Sequence, residues 1–184
     1  MFGELTIQRG EFTNCGVQNI QNPITREITL DQVDFLSKLH AIEHPQLSTG
    51  ANEEQCVEGL HSLFISLLGA IAYATHTRVD VMVFIVALQR RNHNPEVQHV
   101  RKLNKLLRWV QRNPKKLIYR KLPSENTYLR IISDAAFKKE TEKGHCLRGA
   151  LYLRVPRDTT ESFVVTQKET TVHVLDWQCK NQRH

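Results

Sequence analysis

The chain has 184 residues and near-average apolar (40%) and charged (24%) fractions, so it can bury a core as one domain or two small ones, and wholesale disorder is excluded. No apolar run of about 18 residues is free of polar breaks, so no membrane span is expected. Met1-Phe2-Gly3-Glu4-Leu5 carries no basic n-region or apolar h-region, and the expectation is an intracellular protein, cytoplasmic or nuclear, that is not secreted. The net charge of +6 is unevenly spread. Residues 1–89 hold four Lys/Arg against ten Asp/Glu; residues 90–121 hold eleven against one, Glu96. One short segment therefore concentrates positive charge, and a polyanion partner is expected for it.

In chain order, Phe2–Gln8 alternates apolar and polar residues like an edge strand, Asn14-Cys15-Gly16 and Gln21-Asn22-Pro23 are turn chemistry, and Glu27–Leu30 reads as the return strand of a hairpin. Asp31 caps a helix expected to run to about Ile42 and to end at Pro45. After a loop over 46–51, Asn52 and Gln55 approach a capping box for a long apolar helix to about His76. Thr77 and Asp80 open the next helix, whose inner stripe is Val79, Met82, Val83, Val86 and Ala87. Asn94-Pro95-Glu96 is a cap, a first-turn proline and a first-turn acid. The helix it starts runs to about Arg112, with Val97, Val100, Leu103, Leu106, Leu107 and Val110 facing inward. Past Pro114 the period changes to two. Residues 116–121, 128–133, 145–155, 162–166 and 171–177 read as strands, with a domain boundary near Pro123. The predicted class is α+β: an N-terminal hairpin, a helical middle and a C-terminal antiparallel sheet.

Arg101, Lys105, Arg108 and Arg112 recur at i, i+4, i+7 and i+11, a stripe apart from the apolar face and roughly 16 Å long. That length follows several phosphates, and each phosphate neutralised adds salt-sensitive affinity. Arg90, Arg91, Lys102, Lys115 and Lys116 extend the set. The competing reading is an ordinary solvated face, but such faces mix both signs and this one does not.

Two further patterns touch metal chemistry. His40-Ala41-Ile42-Glu43-His44 matches an H-x-x-E-H zinc string. Pro45 directly after it places the second histidine at a helix end, and the expectation is a histidine pair without metal. Tyr128–Ser133 is an apolar strand ending on Asp134, where a nuclease would hold Mg²⁺. Two-metal chemistry needs several carboxylates, and one carboxylate leaves Mg²⁺ mostly in water. Asp134 is therefore at most one member of an incomplete site: no cofactor is expected for the chain alone, and Mg²⁺ only if other groups complete the site. The scattered Cys15, Cys56, Cys146 and Cys179 make no zinc or redox spacing.

Several motifs, in order, resemble copia-type retrotransposon polyproteins. Leu60–Asp80, ending Thr77-Arg78-Val79-Asp80, resembles "YRSLVGSLLYLAxxTRPD". Asn94-Pro95, His99 and Leu106-Leu107-Arg108-Trp109-Val110 resemble "NPxxxHxxAxxRxLRYLxGT". Asp134-Ala135-Ala136-Phe137 resembles the "DADW" that opens the family's ribonuclease H domain. Gly149–Leu153 with Asp176–Gln182 resembles "GYVFxL…SWxSKKQ", and Phe2–Leu5 with Ile28–Gln32 resembles "FLGIEI…IxLSQ".

The resemblance implies that residues 1–122 are the end of a reverse transcriptase palm with its thumb or connection region. Residues 123–184 would be a truncated ribonuclease H-like domain. The polymerase "YxDD" is absent, only Asp134 carries over as a catalytic position, and the carboxylates that follow "SKKQ" in the family lie past His184. The implied function is contact with template–primer nucleic acid, an RNA–DNA hybrid or duplex, alone or with the rest of the polyprotein and without catalysis by this chain. Two alternatives stand beside it: a ribonuclease H-type nuclease completed by another chain through Asp134, or a non-enzymatic interaction or decayed product.

Overall fold

The computed structural model describes residues 7–122, 126–135, 145–157 and 172–183. The fold is α+β, with helices and two antiparallel sheets. Two compact units divide the chain: residues 1–30 with 117–184, and residues 31–116. The boundary expected at Pro123, and the strand expected over 162–166, lie outside the described residues.

The first unit contains both sheets. Strands β1 (Glu11–Asn14), β2 (Val17–Gln21), β3 (Ile28–Asp31) and β4 (Leu117–Tyr119) form the first, in that order. Among the described residues the N-terminal hairpin is β1 with β2, and the expected return strand Glu27–Leu30 is β3, which lies between β2 and β4. Residues 1–6 lie outside the described residues, and residues 7–9 form no strand. Asn14 pairs with Val17 across a two-residue loop in which Cys15 (φ 47°) and Gly16 (φ 76°) are both left-handed. Two positive φ values make a primed turn, whose twist matches the strands it joins. The second sheet is the meander β5 (Thr127–Ala135), β6 (His145–Pro156) and β7 (His173–Arg183). Its β6–β7 register slips at Tyr152/Leu153. Tyr119 holds the β7 end: its hydroxyl donates to the Val174 carbonyl (2.8 Å), and its ring meets His173 edge-on at 5.3 Å. Burial pushes the Tyr119 phenol above its ordinary range.

The second unit is helical: α1 (Val33–Ser37), α2 (Pro45–Thr49), α3 (Glu58–Tyr73), α4 (Met82–Gln89) and α5 (Val97–Arg112), with 3-10 turns at Ala74–His76 and Val79–Val81. Glu58–His76 is long and apolar enough to cross a membrane by length and composition. Here it is the core helix, burying Leu60, Phe64, Leu67, Leu68 and Ile71. Against it pack Ile85 and Leu88 of α4 and Val100, Leu103, Leu107 and Val110 of α5.

The expected helix boundaries moved wherever a distant side chain took over the backbone. The first helix stops at Ser37 rather than Ile42. Past it, Gln111 donates to the carbonyls of Leu36 and Leu39 (both 2.9 Å), and Asn104 brackets Ile42 by accepting from its N–H (2.8 Å) and donating to its carbonyl (2.9 Å). Pro45 starts α2 instead of ending α1; His44 is its cap, accepting the Gln46 N–H at Nδ1 (3.2 Å). The third helix begins at Glu58, not after Asn52, because Gln46 holds the approach, donating to Gln55 O (2.8 Å) and accepting from Val57 N (3.0 Å). Val83 and Phe84 of α4 are exposed, and the inner stripe is Val81, Ile85 and Leu88. Thr77 caps no helix; its hydroxyl donates to buried Gln32 (3.0 Å).

A buried charge fastens the unit. Arg78 is 1% exposed. Its Nε and Nη2 donate to the two oxygens of Asp80 at 2.9 and 3.0 Å. Its Nη1 donates to the Val110 carbonyl at 3.2 Å, and its guanidinium lies 5.5 Å from the Trp109 ring centre. That carbonyl needs a donor from outside, because the residue four positions on is Pro114, which has no N–H. Burial alone would raise the Asp80 pKa, but the hydrogen bonds and charges of Arg78 and Lys115 outweigh it and hold the carboxyl below its ordinary range. Removing one member of such a pair strands the other in low dielectric. Asp80→Ala is therefore expected to cost about 3–5 kcal/mol in urea unfolding followed by helical ellipticity; a loss below about 1 kcal/mol, the scale of an exposed pair, would contradict the fastening.

Candidate nucleic-acid interface

Helix α5 is the most regular expectation met by the structure. Val97, Val100, Leu103, Leu107 and Val110 are buried and Leu106 packs against the core, the face expected from its period. Its start is held doubly. The N–H groups of Val97 and Gln98 donate to the carbonyls of Glu54 (2.9 Å) and Asn52 (3.0 Å). Glu96 and His99 form a capping box, with the Glu96 N–H donated to His99 Nδ1 at 2.9 Å. Glu96, not Asn94, is thus the cap. The helix contains no acid along its length.

Burial pushes the His99 pKa below its usual value, with the charges of Arg91 and Lys102 acting the same way and Glu96 opposing. An imidazolium would also lose the lone pair that accepts the Glu96 N–H. As the pH falls past the unfolded value of about 6.5, the unfolded chain takes up a proton that the folded chain refuses, so folding weakens there and keeps full strength above it. His99→Gln keeps the capping acceptor and removes the titration. The fall in stability between pH 7 and 5 is expected to be shallower in His99→Gln than in the parent; equal slopes would contradict the assignment.

The nine basic residues expected to contact nucleic acid have different fates. Arg101 is a clamp: it donates to Asn52 Oδ1 (2.5 Å), Leu47 O (2.7 Å) and Gly50 O (3.0 Å). Lys115 pairs with Asp80 (3.2 Å). Lys116 lies 2.9 Å from Oδ2 of Asp31, a carboxylate 2% exposed; the geometry is that of a charge contact rather than a hydrogen bond. Lys102 donates to Gln98 (3.1 Å), and Arg90 is half-buried with an interaction of its own. Arg91 is exposed in the turn after α4. Lys105, Arg108 and Arg112 are exposed and, among the described residues, make no ion pair or hydrogen bond. At i, i+3 and i+7 they run along one side of α5 for about 10 Å. Trp109, 43% exposed, stands beside them, four residues after Lys105 and three before Arg112. The sequence reading passed over it, although its spacing from those two cations was visible.

Asp134 is exposed near the end of β5, opposite Gly149 in the β6 register. Asp176, the other carboxylate on this sheet, aligns with Tyr152 and through it with Ile131. Ile131 and Asp134 are three positions apart on one strand, so the two carboxylates belong to opposite faces. Glu140, Glu142, Asp158, Glu161 and Glu169 lie outside the described residues. Among the described residues no three His, Cys, Asp or Glu side chains gather around a possible metal position. In the H-x-x-E-H string, His40, Glu43 and His44 fall in the segment between α1 and α2 rather than on one helical face.

Comparison with protein-family profiles, with curated proteins and with solved structures yields no match.

Proposed function

We propose that this chain binds nucleic acid through its sugar–phosphate backbone, using Lys105, Arg108 and Arg112 of α5, and that it derives from a copia-type retroelement reverse transcriptase with ribonuclease H. The observation that carries the binding reading is the unpartnered triplet: three exposed cations in line on a helix without acids, anchored by an almost fully buried opposite face. The anchored helix backbone spaces the three charges along a phosphate chain, and contacts of this kind read no bases. The lineage is supported by the ordered motifs quoted from the sequence. On this reading the natural ligand is an RNA–DNA hybrid or related duplex, and the chain by itself holds it without cutting or copying it. Asp134, exposed and with Asp176 turned to the other face, supports no cleavage step by the described residues.

Salt dependence follows from the number of phosphate contacts. Three phosphate contacts give a slope of about −2 to −3 in log affinity against log salt. Fluorescence anisotropy with an RNA–DNA hybrid is expected to give that slope in the parent, and a slope near zero with at least about tenfold weaker binding in Lys105→Gln/Arg108→Gln/Arg112→Gln. Arg101→Gln, which removes a clamp and not a phosphate contact, is expected to lower stability more than affinity. A triple variant that binds as tightly as the parent would overturn the proposal.

A further inference from the structure

The segment leading into α2 and one side of α5 border an open cavity of about 360 Å³, whose lining includes Glu43, His44, Ser48, Arg101, Asn104 and Arg108, with Glu43, Ser48 and Arg108 at its solvent-exposed edge. That volume lies at the small end of the range for ligand sites, ~300–1,000 Å³. Its polar groups are unevenly satisfied. Asn104 is engaged by the N–H and carbonyl of Ile42, and Arg101 donates to Asn52 and to the carbonyls of Leu47 and Gly50. Arg108 and the Ser48 hydroxyl, by contrast, make no hydrogen bond or ion pair among the described residues. His44 accepts the Gln46 N–H at Nδ1, which fixes the neutral tautomer with its proton on Nε2. It therefore offers a donor at that nitrogen even when uncharged. Donors of three chemical types line one cavity that carries two guanidinium groups against a single carboxylate, Glu43.

We propose that this cavity binds a phosphate monoester. A guanidinium fork meets two phosphate oxygens at once, and the imidazole N–H and the serine hydroxyl supply single donors to the remaining oxygen. A phosphate monoester carries close to two negative charges near neutral pH, which matches the two guanidinium groups. Glu43 accepts from a hydroxyl on the ester's organic part and selects against a bare anion. The site shares Arg108 with the row of α5 cations and adds His44 and Ser48, so His44→Asn and Ser48→Ala, which leave that row intact, separate a failure of this proposal from a failure of nucleic-acid binding.

The probes are inorganic phosphate, ribose 5-phosphate and a short 5′-phosphorylated oligonucleotide with its 5′-hydroxyl counterpart, titrated calorimetrically into the full chain. Ribose 5-phosphate is expected to bind saturably and more tightly than inorganic phosphate. Arg108→Gln is expected to weaken it by about tenfold or more, the scale of one charge-assisted contact. His44→Asn retains an N-cap acceptor while removing the Nε2 donor, and Ser48→Ala removes only the hydroxyl; each is expected to weaken binding severalfold with unfolding unchanged. Glu43→Gln is expected to tighten inorganic phosphate. Tighter binding of the 5′-phosphorylated oligonucleotide than of its 5′-hydroxyl counterpart, with the difference lost in His44→Asn, supports the site and identifies a strand end as the source; equal binding of the two oligonucleotides beside saturable ribose 5-phosphate supports it and identifies a free sugar phosphate. Absence of saturable binding, binding indifferent to Arg108→Gln, or weaker phosphate binding in Glu43→Gln would overturn the proposal.

Discussion

The helical unit depends on the burial of one guanidinium. Arg78 gives up almost all its water, and a charge in that position persists only if its donors are taken. Asp80 takes two of them, two residues along the chain, and the Val110 carbonyl takes a third across the unit. The partners are interdependent. Pro114 leaves Val110 without an intrahelical donor, so the end of α5 needs Arg78 as much as Arg78 needs an acceptor. The aromatic face of Trp109 closes another side of the guanidinium. The stretch Thr77-Arg78-Val79-Asp80, which looked like a helix cap, is the fastener between the approach to α4 and the last turn of α5.

From that fastening follows which side of α5 remains available. Apolar residues of α5 meet α3 and α4. The polar residues next to them, Arg101, Asn104 and Gln111, reach across to the backbone between Leu36 and Asn52 and hold a stretch that would otherwise have few partners. Lys105, Arg108, Trp109 and Arg112 stand exposed on the outer strip. The strong positive charge of residues 90–121 thus divides by packing. Part of it is structural, consumed by Asp31, Asp80 and main-chain carbonyls, and part is offered outward.

How much of this was readable beforehand follows from where each interaction partner lies. The apolar face of α5 and its proline-led start were legible because period and capping are local. The sheet after Pro114 was legible from alternation, as was the Cys15-Gly16 turn from its residue types, although its strands were not recognised. The end of α1 was illegible because the groups that terminate it, Asn104 and Gln111, lie 62 to 75 residues away. The start of α3 was displaced by Gln46, a polar side chain buried to serve Gln55 and Val57. Nothing in a residue's own neighbourhood announces that a distant amide will claim its backbone. The same holds for the candidate site: nine cations were visible as a charged segment, but which of those on α5 stay exposed and unpaired depends on acceptors elsewhere in the fold. Spacing alone also could not show that Asp134 and Asp176 belong to opposite faces, because that depends on strand register.

Lysine acylation, read residue by residue, tests this division of cations. With an RNA–DNA hybrid bound, Lys105 should lose most of its reactivity, while Lys115 and Lys116, tied to Asp80 and Asp31, should react as they do in the free chain. Undiminished reactivity at Lys105, or equal protection of all three, would contradict it.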